Sequence, residues 1–242
     1  MKIDHLTALN QARRNRQAII LTTEVETGNA AIVREKDSWQ DHALADEFAV
    51  RFRSGKSGVV TAPDGGQVFL KVQVPSPRLV VVGAVHISQA MAPISILADF
   101  EMIVVDPRTA FATPERFPNV ALHAQWPEDV LPGLHLDPYT GFAALTHDPK
   151  IDDWAIAHAL KSECFYVGAL GSRKTHAKRI ERLTATGLAA SVMDRIDAPI
   201  GADIGAASPA EIAIAIFANV IAALRKRSDA APKQHSSEEA AA

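Results

Sequence analysis

The chain has 242 residues, of which 48% are hydrophobic and 22% charged, and a formal net charge of −3. That length suits one large domain or two small ones with an ample core, and the charge excludes a general grip on nucleic acid or an anionic membrane. The single cysteine, Cys164, excludes an intrachain disulfide framework. The N-terminus Met1-Lys-Ile-Asp-His is too polar for a signal peptide, and no apolar run reaches the ~20 residues that span a bilayer, so a cytoplasmic protein is expected.

Residues 4–16 carry Leu6, Leu9 and Ala12 at helical spacing and end in Arg13, Arg14 and Arg16, cations that suit a helix C-terminus. Gln17 to Glu24 reads as a strand, Thr27-Gly28-Asn29 as a turn and Ala30 to Arg34 as a second strand. Asp41 to Phe52 reads as a helix, with Leu44, Phe48 and Phe52 on one stripe and Gly55 as its stop. Ser57 to Thr61 is a short strand. After the turn Pro63-Asp64-Gly65-Gly66, Gln67 to Val74 alternates, with Val68, Leu70, Val72 and Val74 on one side. Residues 1–75 are thus expected to form a small α+β domain, closed by Pro75-Ser-Pro77.

From Arg78 to about Arg227, strands at 78–82, 102–105, 120–124, 141–146, 164–168 and 197–201 alternate with helices at 87–98, 150–161, 172–185 and 208–226. This is the pattern of an α/β, Rossmann-like parallel sheet with helices on both faces. Residues 106–119 and 125–140 read as loops. The tail 228–242 lacks an apolar pattern and reads as disordered.

Binding groups in such a sheet gather past the C-terminal ends of the strands. Gly83, Ala84 and His86 follow the first strand, and Asp106 and Arg108 the second. Thr146, His147 and Asp148 follow the fourth, Gly168, Gly171, Ser172 and Arg173 the fifth, and Gly201, Asp203 and Gly205 the last. Asp106 lies 23 residues after Gly83, close to the ~20 at which a ribose-binding acid sits in dinucleotide units. The second glycine of that fingerprint is missing, because the turn reads Gly83-Ala84-Val85-His86.

Gly168-Ala-Leu-Gly171-Ser172-Arg173-Lys174-Thr175 is the best anion site: glycines let the backbone approach closely, and Ser172 caps a helix whose N-terminus favours negative charge. The plainer reading is a tight turn with solvated cations. Lys178, Arg179 and Arg182 read as a solvated helix face. Ser208, Pro209 and Glu211 match a capping box, with Gly201, Asp203 and Gly205 left over as a lip of the cleft. His86, His147 and Asp148 suit hydrogen bonding to a polar ligand or loop fixing; without HExxH or Cys-x-x-Cys spacing no metal site is expected. Thr146 and Asp148 also read as caps of the next helix. Cys164 lies in an apolar run and reads as a buried, inert thiol. No Gly-x-Ser-x-Gly elbow is present.

Six stretches resemble, in order, the XdhC/CoxI family of maturation factors for molybdenum hydroxylases. They are Val82-Gly-Ala-Val-His-Ile-Ser-Gln-Ala, Val105-Asp-Pro-Arg108, Phe111-Ala-Thr-Pro-Glu-Arg-Phe-Pro118, Leu145-Thr-His-Asp-Pro-Lys150, Tyr166-Val-Gly-Ala-Leu-Gly-Ser-Arg173 and Pro199-Ile-Gly-Ala-Asp-Ile-Gly205. The resemblance covers about 150 residues and matches the family's C-terminal Rossmann-like domain. It implies a chaperone rather than a turnover enzyme. Such a protein binds molybdopterin-type molybdenum cofactor, protects it, helps its sulfuration and delivers it to a xanthine or carbon monoxide dehydrogenase-type apoenzyme. A cysteine desulfurase would suit as a further partner, and exchange of cofactor between enzymes would suit a homodimer, although the sequence does not give the oligomeric state. No residue is expected to be catalytic.

The chain departs from the family pattern at three points. The N-terminal Gly-Ser-x-Pro and Ser-Gly-Gly-Cys-Val-Glu motifs are absent, Cys164 is a poor sulfur carrier, and Val85 replaces the glycine of Gly-Ala-Gly-His. A β-branched Val85 crowds a pyrophosphate in the usual pose, so NAD(P) is the weaker expectation. The phosphate of molybdopterin suits Gly171, Ser172 and Arg173, and the pterin edge suits Asp106, His147 and Asp148. The alternative is an NAD(P)-dependent oxidoreductase, with Arg108 meeting a 2′-phosphate. A third reading is a pure protein-interaction module.

Overall fold

The structure is a computed structural model and describes residues 2–226, so the tail expected to be disordered lies outside the described residues. The chain forms two compact units. One comprises the described residues up to Val74 with Arg225 and Lys226; the other runs from Pro75 to Leu224.

The first unit contains α1 (Ile3–Arg14), β1 (Ile19–Glu24), β2 (Ala30–Arg34), α2 (Ala45–Ser54), β3 (Gly58–Thr61) and β4 (Gln67–Gln73). Its strands form an antiparallel sheet in the order β2-β1-β4-β3. Asp4 in the first turn of α1 and Arg13 and Arg14 in the last oppose the helix dipole favourably. Leu9 and Ala12 of α1 are buried in one cluster with Ile19 and Leu21 of β1. β4 buries Val68, Leu70 and Val72 on alternate positions, the period-2 signal visible in the sequence. α2 starts at Ala45, four residues later than the pattern suggests, because the Leu44 amide donates to His42 Nδ1 in a preceding turn. It buries Phe48 and Phe52 and stops at Gly55, whose φ of 66° is a left-handed cap.

The second unit contains β5 (Arg78–Val82), α3 (His86–Leu97), β6 (Glu101–Val105), β7 (Ala121–His123), α4 (Pro127–Leu134) and β8 (Thr140–Ala144). It continues with α5 (Pro149–Lys161), β9 (Tyr166–Ala169), α6 (Arg173–Ala185), α7 (Ala190–Met193) and β10 (Ile196–Asp197), and α8 spans Pro209–Lys226. The six strands are parallel, in the order β10-β9-β8-β5-β6-β7. This is the doubly wound 3-2-1-4-5-6 arrangement, and the strand order reverses between β5 and β8. The expected Rossmann-like sheet is therefore present.

Every residue of β5 and β8 is buried, because helices cover both faces. Val80, Val82, Ile103, Val105 and Phe142 share one core with helix residues Leu131, Ile156 and Leu183. Leu79, Val81, Met102 and Val104 share the other with Met91 and Phe217. Each such side chain contributes about 1.5–3 kcal/mol on burial.

Three elements differ from the sequence reading. Residues 125–140 are not all loop. Pro127 occupies the first turn of α4 and Glu128 and Asp129 follow it, a helix start that the later Pro132 and Gly133 obscured. Buried Arg78 closes the other end of α4, donating to the carbonyls of Leu134 and His135 at 3.0 Å each. The short α7 carried no periodic signal. β10 is only Ile196–Asp197, because Pro199 has no N–H to extend the ladder.

Candidate functional site

The switch point is closed by one carboxylate. Gly83 ends β5 with φ 122°, and an added Cβ would meet Thr146 Cγ2 at 3.1 Å and the Thr146 nitrogen at 3.2 Å, so the turn passes tightly against the end of β8. The Ala84 amide donates to Asp106 Oδ2 at 2.7 Å. Arg108 donates to Asp106 from its amide and Nε at 2.9 Å each and from Nη2 at 2.7 Å. Both oxygens of this buried acid therefore accept two hydrogen bonds each, which exhausts their lone pairs. Burial pushes the Asp106 carboxyl up, but the hydrogen bonds from Arg108 and the two amides outweigh it and hold the group below the usual carboxylate range. Asp106 clasps the β5 turn to the end of β6, and its acceptors are not directed at a ligand. Arg108 is half-buried over the Phe111 ring, 4.9 Å from its centroid.

One strand over, the corner after β8 organises a second group. His147 is exposed and has φ 62°, unusual for a residue with a side chain. Asp148 caps α5, accepting from the Lys150 amide at 3.0 Å. Thr146 accepts from the Asp148 amide at 3.0 Å and donates to Asp152 Oδ1 at 2.7 Å. Asp152 is only 1% exposed, and its Oδ2 has no hydrogen-bond partner. Burial raises its carboxyl to about 6, against lowering by the Thr146 hydrogen bond and Arg179.

Facing it, Gly171 has φ 131°, Ser172 caps α6 by accepting from the Thr175 amide at 3.2 Å, and Arg173 is exposed. Arg179 is not on a solvated face as its spacing suggested; it is 2% exposed. It turns inward because its Nη2 donates to the Leu170 carbonyl at 3.0 Å, while its Nε stands 4.0 Å from Asp153 Oδ1, too far for a hydrogen bond. Arg179 Nε and Nη1 have no hydrogen-bond partner, and burial lowers the pKa of its guanidinium. Asp153 is instead held bidentately by Arg182. Asp152, Asp153 and Arg179 line a cavity of about 240 Å³ between α5 and α6, rimmed by His147 and by Lys174 and Lys178. Asp152 lay outside the sequence reading. A polar residue in the first turn of a helix gives no signal of burial.

The remaining predicted residues fall elsewhere on the same sheet edge. His86 is exposed at the start of α3. Gly168 is buried, and a Cβ there would lie 2.6 Å from Ile200 and 2.7 Å from the Tyr166 hydroxyl, so its small size serves packing. Gly201, with φ 96°, abuts the backbone of α8 at Ala215 and Ile216. Asp203 and Gly205 are exposed in the loop before the capping box, where Ser208 and Glu211 exchange hydrogen bonds as expected. Cys164 is fully buried, with its thiol pushed up to about 12 by burial first and by Asp137.

A parallel sheet of this order, with its polar groups on the C-terminal edge at the switch point, defines a Rossmann-type domain. The family model for the XdhC Rossmann domain matches residues 79–220, and the chain belongs to that family. Among similar proteins, YqeB of Escherichia coli K12, an uncharacterized protein, is 30% identical over 172 residues, 70% of this chain and 31% of YqeB. A Bacillus subtilis 168 protein, described as a probable xanthine dehydrogenase subunit, is 31% identical over 155 residues, 64% of this chain and 45% of that protein. The chain thus spans less than half the length of these relatives. The crystal structure of a Bacillus halodurans protein described as a xanthine dehydrogenase superposes with a TM-score of 0.62 at 22% identity, over 97% of this chain and 66% of that one, a likeness of fold.

Proposed function

We propose that the protein binds a molybdopterin-type molybdenum cofactor and assists its maturation and insertion into a xanthine or carbon monoxide dehydrogenase-type enzyme. The observation that carries this reading is the XdhC Rossmann domain match across nearly the whole parallel-sheet unit. The geometry is consistent with cargo binding. Gly171, Ser172 and Arg173 present a helix N-terminus to the cofactor's phosphate, and His147 and Asp148 lie on the adjacent corner for the pterin. Asp106 serves indirectly, by fixing Ala84 and Arg108. Its spent acceptors also count against a dinucleotide, whose ribose hydroxyls would need them. The partner would be a molybdenum hydroxylase apoenzyme. Sulfur would come from a separate cysteine desulfurase, since the thiol of Cys164 is inaccessible. A homodimer would allow handover between enzymes.

The test is mass spectrometry of small molecules released from protein purified from cells that make an active molybdenum hydroxylase, with molybdenum measured alongside. Molybdopterin or its oxidation products should be present. Protein from such cells that carries neither pterin nor molybdenum would overturn the reading.

A further inference from the structure

Two buried groups of opposite charge line the cavity between α5 and α6, and each keeps hydrogen-bonding atoms without a partner. Asp152 Oδ2 lacks a donor, and Arg179 Nε and Nη1 lack acceptors. A buried polar atom without a partner costs free energy comparable to a lost hydrogen bond, so native proteins rarely keep one unless something else satisfies it. Thr146 takes up only the other carboxylate oxygen of Asp152, and the Leu170 carbonyl only Nη2 of Arg179. A group that completes the site would accept from Arg179 and donate to Asp152, as a water molecule or a hydrogen-bearing anion does.

Charge narrows the choice. Lys174, Lys178, Arg179 and Arg182 outnumber Asp152 and Asp153, so the lining favours an anion. A carboxylate has no proton to donate near neutral pH. Sulfate has none either. Phosphate retains one in part, because the second ionisation of a monoester falls at about pH 6. At about 240 Å³ the cavity is smaller than the roughly 300–1,000 Å³ that encloses a whole small ligand, and suits one terminal group of a larger one.

We propose that this cavity is a phosphate-monoester site that selects the protonated anion. Arg179 donates to the phosphate oxygens, Lys174 and Lys178 neutralise its charge, and Asp152 Oδ2 accepts the remaining phosphate O–H. Sulfate, an acceptor only, would face Asp152 acceptor to acceptor and is rejected. The raised carboxyl of Asp152 supports this arrangement, since a proton is then readily shared between it and the phosphate. The groups that set its charge are Thr146, Arg179, Asp153 and, at longer range, Arg108. The inference deepens the proposed function, moving the phosphate from the α6 terminus into the cavity beside it. It rests on that reading only for what the phosphate is attached to.

The test is isothermal titration calorimetry of the full chain in chloride buffer at pH 7, with inorganic phosphate, glycerol 3-phosphate and sulfate. Both phosphates should bind, and sulfate should bind at least about tenfold more weakly. Asp152→Asn, whose amide donates to either anion, should bring phosphate and sulfate within about threefold of each other. The double variant Lys174→Ala/Lys178→Ala, altering two exposed side chains, should weaken phosphate at least about tenfold, and Lys161→Ala at the far end of α5 should not. Equal binding of phosphate and sulfate by the natural chain, or discrimination that survives Asp152→Asn, overturns the proposal. So does a failure of either phosphate to bind. Phosphate selectivity in a protein that carries no pterin would leave this site standing and sink the cargo reading. Pterin cargo in a protein without selectivity would do the reverse.

Discussion

Two buried aspartates at the edge of one sheet have opposite surroundings. Asp106 receives four hydrogen bonds and is held ionised; Asp152 receives one and is pushed toward its neutral form. The consequence is a defined pH dependence. The folded state binds the Asp152 proton more tightly than the unfolded chain does, because its carboxyl rises from 3.8 to about 6. Below pH 4 both states hold the proton and the group is neutral to stability. Between pH 4 and 6 its contribution turns unfavourable, and above 6 the penalty is constant at about 3 kcal/mol. Asp152→Asn should therefore stabilise the protein at pH 8 by up to about 3 kcal/mol and have little effect at pH 4, as measured by urea unfolding at the two pH values. Asp106 was legible in the sequence because it ends an apolar strand. Asp152 was not, because only the approach of α6 buries it.

Among the elements, the tight corner between β9 and the chain after β10 is set by Gly168. A methyl group there would lie 2.6 Å from Ile200 and 2.7 Å from the Tyr166 hydroxyl, which itself donates to Asp197 at 2.6 Å. Gly168→Ala should cost about 1–3 kcal/mol by overpacking, read as a fall in melting temperature without a change in unfolding cooperativity. In the sequence this glycine reads as a place for an anion to approach; the structure fills the space with side chains. The same kind of error affects α6. Its mean composition is polar, and a run of Lys178, Arg179 and Arg182 looks uniformly solvated, yet one of the three is buried. Periodicity reports apolar faces, and a buried arginine has no such signature.

The molecule divides into an antiparallel unit and a parallel one, each with its own hydrophobic cores. A fragment of residues 75–226 contains all six parallel strands and their covering helices. It should fold alone, giving a single cooperative thermal transition and retaining phosphate binding. A broad, non-cooperative melt of that fragment would show that the parallel unit depends on the rest of the chain. Among the described residues no helix is long and apolar enough to cross a membrane.

Local patterns in the chain were enough to set the alternation of strands and helices, the doubly wound class and the edge of the sheet at which polar residues gather. Apolar runs of β-branched residues, Gly turns and helix caps are local signals, and the chain obeys them at β5, β6, α5 and α8. The six ordered motifs also carried the family resemblance, which the match over residues 79–220 bears out. Packing settled which polar groups are already satisfied and which are not. Asp106 follows a strand and Asp152 lies in the first turn of a helix, and neither position records how its carboxylate is satisfied. The fold places four donors around one and seals the other beside Arg179 and an open cavity. Hydrogen-bond satisfaction depends on groups brought together across the fold, 22 residues apart for Asp106 and Ala84 and 27 for Asp152 and Arg179, and no local pattern records it.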